Sequence, residues 1–176
     1  MKKLLLIAFL VAGSLQMIAQ DGIQWMSMNE ALEAQKENPK KIFMDAYTDW
    51  CGPCKLLDKN TFGNKDVINF VNKNYYPVKF NAEMSEPIDF NGHTFVNPNP
   101  GKSRSTHQFA ASILEYQLSY PSYVILDENL QRSVIYKGYL QVDDLLGIIL
   151  FFGKNRNQAY LQQITKQVKQ QQAVKK

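Results

Sequence analysis

Cysteine, histidine and tryptophan are scarce in this 176-residue chain, with two of each. Two cysteines cannot supply a disulfide framework. A domain of this length does not need one, because its apolar residues, 45% of the chain, can fill a core. Charge of one sign is lacking too. The 20 Lys and Arg stand against 16 Asp and Glu, and this balance gives no electrostatic case for nucleic acid. No apolar run approaches the roughly 20 residues that a membrane-spanning helix needs, and no internal repeat is visible. What cysteine there is lies in one place. Cys51 and Cys54 are separated only by Gly52 and Pro53. A bridge between them closes the shortest useful loop, worth only about 2 kcal/mol in chain entropy. So short a staple points to chemistry.

The chain opens with Met1-Lys2-Lys3, runs apolar from Leu4 to Ala12, and continues through small and polar residues to Ala19 and Gln20. A basic start, a short apolar run and a small residue at a cleavage position read as a secretory signal peptide over residues 1–19. Met17 is larger than usual at its position before the cut. Losing Lys2 and Lys3 lowers the 20 basic side chains to 18 against 16 acidic ones. The leader holds no cysteine for a lipid. An exported protein, periplasmic or secreted, with no stable membrane span after cleavage is expected.

Ile23 to Met26 reads as a short edge strand. Ser27 and Glu30 form a capping box for a helix through Ala31, Leu32 and Ala34 that stops before Asn38-Pro39. Lys41 to Tyr47 is a near-continuous apolar run, as in a strand covered on both faces. Helices are expected from Gly52 through Leu57 and from Lys65 to Asn72, and a strand from Tyr76 to Asn81. This strand–helix–helix–strand order predicts an α/β fold. Residues 84–107 interrupt it with Pro, Gly and Asn, a predicted hairpin around Asn91-Gly92, and Ser105 or Thr106 as the cap of the next helix. Two antiparallel strands, Ser122–Leu126 and Ser133–Tyr136, and a last helix over Val142–Phe152 complete the domain, drawn at 20–154. Residues 155–176 are rich in Gln and Lys; Tyr160, Ile164 and Val168 allow a marginal helix or a solvated tail.

Thiol–disulfide exchange needs an accessible thiolate and a second thiol to displace the mixed disulfide. Trp50-Cys51-Gly52-Pro53-Cys54, where a strand turns into a helix, supplies both. Cys51 falls at a helix N-terminus, where unpaired N–H groups and the helix dipole favour an anion. Such a site can lower a thiol pKa from about 8.5 toward 7. Cys54, one turn further in, is placed to resolve and is shielded. Pro53 tolerates the first turn, and Gly52 leaves the Cys51 sulfur open. The rival use of the pair is half of a zinc site with His93 and His107. Those histidines lack a ligand spacing of their own, and Gly-Pro suits exchange better.

At these residues the chain resembles the thioredoxin family. Trp50 to Lys55 reproduces its Trp-Cys-Gly-Pro-Cys-Lys. Asp45, six residues before Cys51, matches a buried acid; Lys79 matches its neighbour, Pro121 a cis-proline, and Gly138 a glycine after the last strand. The resemblance covers most of 41–152 apart from 84–107. It implies a thioredoxin-like α/β fold, a central mixed sheet flanked by helices. It also implies an enzyme in which Cys51 attacks and Cys54 resolves, without a metal or organic cofactor. Asp45 lies between Met44 and Ala46, so burial is expected to raise its pKa and suit it to accept the Cys54 proton. Trp50, Gly52, Pro53, Tyr120 and Pro121 would contact substrate, with the Tyr120 backbone free to pair with an extended segment. Phe62 reads as core. Partners would be protein thiols and disulfides and a further redox protein not identified by the sequence. Gly-Pro between the cysteines resembles the reducing members. The other class of reading is a thioredoxin-like binding module with incidental cysteines; an assay of Cys51→Ser separates the two. The 84–107 segment is either a solvated elaboration or a wall beside the active face.

Overall fold

The computed structural model describes residues 22–153. The leader at 1–19 and the expected tail helix at Tyr160, Ile164 and Val168 lie outside these. Along the chain run α1 (Met28–Glu37), β1 (Ile42–Tyr47), α2 (Gly52–Asn60), α3 (Lys65–Asn74), β2 (Tyr76–Asn81), β3 (Ile88–Phe90), β4 (His93–Phe95), α4 (Gln108–Ile113), β5 (Ser122–Leu126), β6 (Arg132–Lys137) and α5 (Val142–Gly153).

Four strands form one sheet in the order β2-β1-β5-β6. β1 pairs in parallel with β2 and antiparallel with β5, and β5 pairs antiparallel with β6. Alternation along β1 sends its side chains to two cores. Ile42, Met44 and Ala46 pack with Met28 and Ala31 of α1 and with Phe109, Ala110 and Ile113 of α4. Phe43, with Tyr123 and Ile125 of β5, packs against Leu57 of α2, Val67 and Val71 of α3, and Leu145 and Ile149 of α5. Every β1 residue through Ala46 is buried, as its unbroken apolar run requires. This is the mixed sheet between helical layers that the thioredoxin resemblance implies. No helix of the described residues is long and apolar enough to cross a membrane.

The capping box forms at Ser27 and Glu30 as expected. Other local expectations need correction. Ile23–Met26 is not a strand: only Met26 pairs, as an isolated bridge to Val78. Its N–H donates to Pro77 and its carbonyl accepts from Lys79, and then Ser27 turns the chain into α1. Trp25 instead turns its ring onto Phe43 and Phe62. The cap of α4 is His107, not Ser105 or Thr106. Ser105 is already committed, its Oγ accepting from Asn97 Nδ2 at 2.9 Å.

Most of the 84–107 segment is exposed, as a surface elaboration would be, but its hairpin is anchored in the core. Ile88 is fully buried, and Phe90 and Phe95 meet Phe109 edge-on at 5.2 and 5.5 Å. The β3–β4 hairpin is therefore part of the core that α1 and α4 share. Its return arm is pinned by Asn97, whose Nδ2 donates to the carbonyls of Glu83 and Met84 as well as to Ser105.

Candidate active site

Leaving β1, the chain turns through Thr48-Asp49-Trp50, and the Cys51 N–H donates back to the Thr48 carbonyl at 3.1 Å. Cys51 is the N-cap of α2. Its sulfur takes the part that a Ser or Asp oxygen plays in ordinary caps, accepting from the Cys54 N–H at 3.1 Å. Pro53 sits in the first turn, where a missing N–H costs nothing. Cys51 and Cys54 are joined as a disulfide with their Cα atoms 5.3 Å apart.

One expectation fails in this oxidised form. Cys51 is only 3% exposed, hardly more than Cys54 at 1%. The disulfide ties the Cys51 side chain to a residue one turn inside the helix. Gly52 does leave room beside it: a β-carbon there would meet nothing within 4 Å.

The Tyr120–Pro121 peptide is cis. The register Ala46↔Ser122 places Pro121 at the end of β1 that leads to Cys51. Gly138, in the left-handed region at φ 89°, donates its N–H to the Pro121 carbonyl at 2.8 Å. Trp50 is 52% exposed, lies edge-on to Tyr120 at 6.1 Å between ring centres, and donates Nε1–H to Glu83 at 3.0 Å. Phe62 is buried among aromatic rings, as expected for a core residue.

Asp45 is fully buried on β1, directly opposite Lys79 on β2. The Lys79 ammonium donates to Asp45 Oδ2 at 2.6 Å and also to Asp58 of α2. It lies about 5 Å from the ring centres of Trp25, Tyr47 and Phe62. Burial lifts the Asp45 carboxyl to a pKa of about 6, although the Lys79 charge pulls the other way. Burial alone would lower the pKa of Lys79, but its two carboxylates outweigh that and raise it. Asp45 Oδ1 has no hydrogen-bond partner among the described residues. One oxygen of the acid is thus held by the lysine, and the other meets no polar group of the described residues.

A cleft of about 230 Å³ opens beside Trp50, lined in part by Thr48, Tyr120, Glu83 and Arg104. Burial, with the nearby Glu83 charge, pushes the Tyr120 hydroxyl up to about 12. Arg104, Ser105 and Thr106, from the return arm of the 84–107 segment, line this cleft.

The histidines are apart from this site. His107 is fully buried and uses both ring nitrogens on backbone: Nδ1 accepts from Phe109 N–H, and Nε2 donates to the Glu86 carbonyl. Burial lowers its pKa, consistent with a neutral cap. His93 is exposed beside Phe95. Three residues near the site have no counterpart in the sequence reading. Asp58 stands four residues after Cys54, one helical turn along the same face, a spacing that could have revealed it. Glu83 and Arg104 arrive through tertiary packing alone.

The thiol:disulfide interchange protein DsbD of Campylobacter jejuni is 26% identical over 109 residues, which are 62% of this chain but 16% of the relative. The chain thus spans about a sixth of that relative's length. Among solved structures, a DsbH oxidoreductase aligns with a TM-score of 0.52 at 17% identity, over 76% of this chain and 89% of the other. A thioredoxin-fold protein from Helicobacter pylori aligns at 0.54 and 18%, over 69% and 73%. A thioredoxin from Thermus thermophilus aligns at 0.53 and 12%, over 73% and 85%. At these identities the structures speak for the fold alone. The sequence model of the thioredoxin-like domain matches residues 28–153, nearly all of the described chain. The chain belongs to the thioredoxin-like domain family and carries the Cys-X-X-Cys pair of its thiol–disulfide oxidoreductases at Cys51 and Cys54.

Proposed function

We propose that this protein reduces disulfides of exported polypeptides through a Cys51/Cys54 dithiol–disulfide cycle. The carrying observation is the Cys54 N–H aimed at the Cys51 sulfur at the start of α2. In the reduced protein that donor and the helix dipole favour the Cys51 thiolate. The thiolate attacks one sulfur of a substrate disulfide and expels the other as a thiolate, which takes up a proton. Cys54 then loses its proton and attacks the Cys51 sulfur. This forms the Cys51–Cys54 disulfide, and the second substrate sulfur leaves as a thiolate that is protonated in turn. Two electrons and two protons pass to substrate, and a dithiol donor must restore the reduced pair.

Asp45 is the acceptor of the Cys54 proton in this reading. Its raised pKa of about 6 and its free Oδ1 support the role. Trp50 and Tyr120 offer an apolar edge for the substrate, Gly52 leaves the approach open, and Pro53 and Pro121 shape the two loops that border it. The leader pattern supports export to a periplasm or out of the cell; the mature chain should then begin at Gln20 by mass spectrometry.

The cycle is tested with a synthetic peptide carrying one intermolecular disulfide. Cys54→Ser should accumulate a mixed disulfide through Cys51, and Cys51→Ser should form none and reduce nothing. Equal activity of Cys51→Ser and the parent would refute the reading and favour a binding module. A reductant should equilibrate with dithiothreitol near the thioredoxin potential of about −270 mV, and a value near about −120 mV would mark an oxidant instead.

A further inference from the structure

Arg104 is exposed, and its guanidinium carbon lies 5.4 Å from the centre of the Trp50 ring. Its backbone is left-handed at φ 58°, a conformation that side-chain-bearing residues seldom adopt. Turns around it fix that conformation: Lys102 N–H donates to Asn99, and Ser105 N–H to Lys102. Asn97 clamps Ser105 to the carbonyls of Glu83 and Met84. Arg104 forms no ion pair among the described residues. Glu83, the carboxylate of the same cleft, is half-buried and accepts from Trp50 Nε1. Lys102, the neighbouring cation, is turned to the Asn99 side-chain oxygen at 3.3 Å. A guanidinium over an indole ring, with no carboxylate paired to it, keeps N–H donors in the fork that fits a carboxylate.

We infer that Arg104 on Trp50 is a recognition subsite for an acidic side chain flanking the substrate cysteine, in an extended polypeptide segment. The inference rests on the proposed disulfide chemistry, because Trp50 adjoins Cys51 and a captured cysteine would lay its neighbours over that ring. At about 3.3 Å per extended residue, an Asp or Glu two residues from the cysteine stands roughly 7 Å along the segment, and this is the position tested. Gln or Lys at that position forgoes the ion pair, and Lys adds repulsion. Selection thus comes from the return arm of the 84–107 segment, while the cysteines supply the chemistry.

The test compares three synthetic peptides with one cysteine in a mixed disulfide and Glu, Gln or Lys two residues away. The reduced full-length protein should show a kcat/KM ratio for Glu over Lys of about fivefold at low salt, the size expected of exposed charge pairing. The ratio should fall toward one as ionic strength rises. It should collapse in Arg104→Gln and invert in Arg104→Glu, each ratio being internal to its own protein. An undiminished ratio in both variants, or equal rates for all three peptides with the parent, overturns the subsite alone. A parent that reduces none of them overturns the disulfide chemistry and the subsite with it.

Discussion

Asp45→Asn should make the oxidised protein more stable at neutral pH. The substitution keeps the shape of the side chain and removes its charge, exchanging one carboxylate oxygen for an amide NH2. Burial lifts the Asp45 pKa from 3.8 to about 6, about two units, and each unit is worth about 1.4 kcal/mol. Ionising Asp45 in the native state therefore costs about 3 kcal/mol more than ionising it in the unfolded chain. As pH rises above 4, the unfolded chain gives up this proton first, so native stability drops until pH passes about 6 and then levels. The Asn variant lacks that slope. Lys79 is not stranded, because Asp58 still holds it. Urea unfolding at pH 4, 5, 6, 7 and 8 should find the two proteins close at pH 4. The variant should lead by about 3 kcal/mol at pH 7. Equal stability at pH 7, or the same slope in both proteins, would refute the burial argument. The same variant should resolve mixed disulfides more slowly between pH 6 and 9, since Asn cannot accept the Cys54 proton.

Asp58→Asn removes a negative charge that helps to raise the Asp45 pKa. The pH midpoint of mixed-disulfide resolution, followed by stopped flow, should move downward, and an upward shift would contradict the Lys79-centred arrangement. Phe109→Ala takes a fully buried ring from between Phe80, Phe90 and Phe95. It should cost about 3–5 kcal/mol in urea unfolding, and amide exchange should quicken across β3 and β4. Ser27→Ala breaks the capping box of α1 and should cost about 1 kcal/mol, with amide protection lost first at Glu30.

Where a local pattern determines an element, the sequence was a sufficient guide. The apolar run at β1, the capping box at Ser27 and the Gly-Pro between the cysteines each act over a few residues, and each is where it was expected. Asp45 was legible because an acid within such a run has no route to solvent. The misreadings share a cause in long-range partners. Ile23–Met26 has strand chemistry, but the cap at Ser27 follows too soon for a ladder to grow. Ser105 has cap chemistry, but Asn97 claims it first. The β3–β4 hairpin forms where Asn91-Gly92 predicts it, and only its place in the core, where Phe90 and Phe95 meet Phe109, goes unannounced. Deleting Asp89–Ser103 would therefore strip side chains from the core as well as from the cleft, and single changes at Arg104 are the cleaner probe. Nothing in the sequence around Arg104 announces Trp50, which lies 54 residues away.

The ionisation of Cys51 in the reduced protein tests the central claim most directly. The rate of its alkylation by iodoacetamide, followed from pH 4 to 10 in Cys54→Ser and in the reduced parent, reports the thiolate. A helix start with the Cys54 N–H on the sulfur predicts half-ionisation near or below about 7. Half-ionisation at about 8.5 or above, or a sulfur that no alkylating reagent reaches, would contradict it.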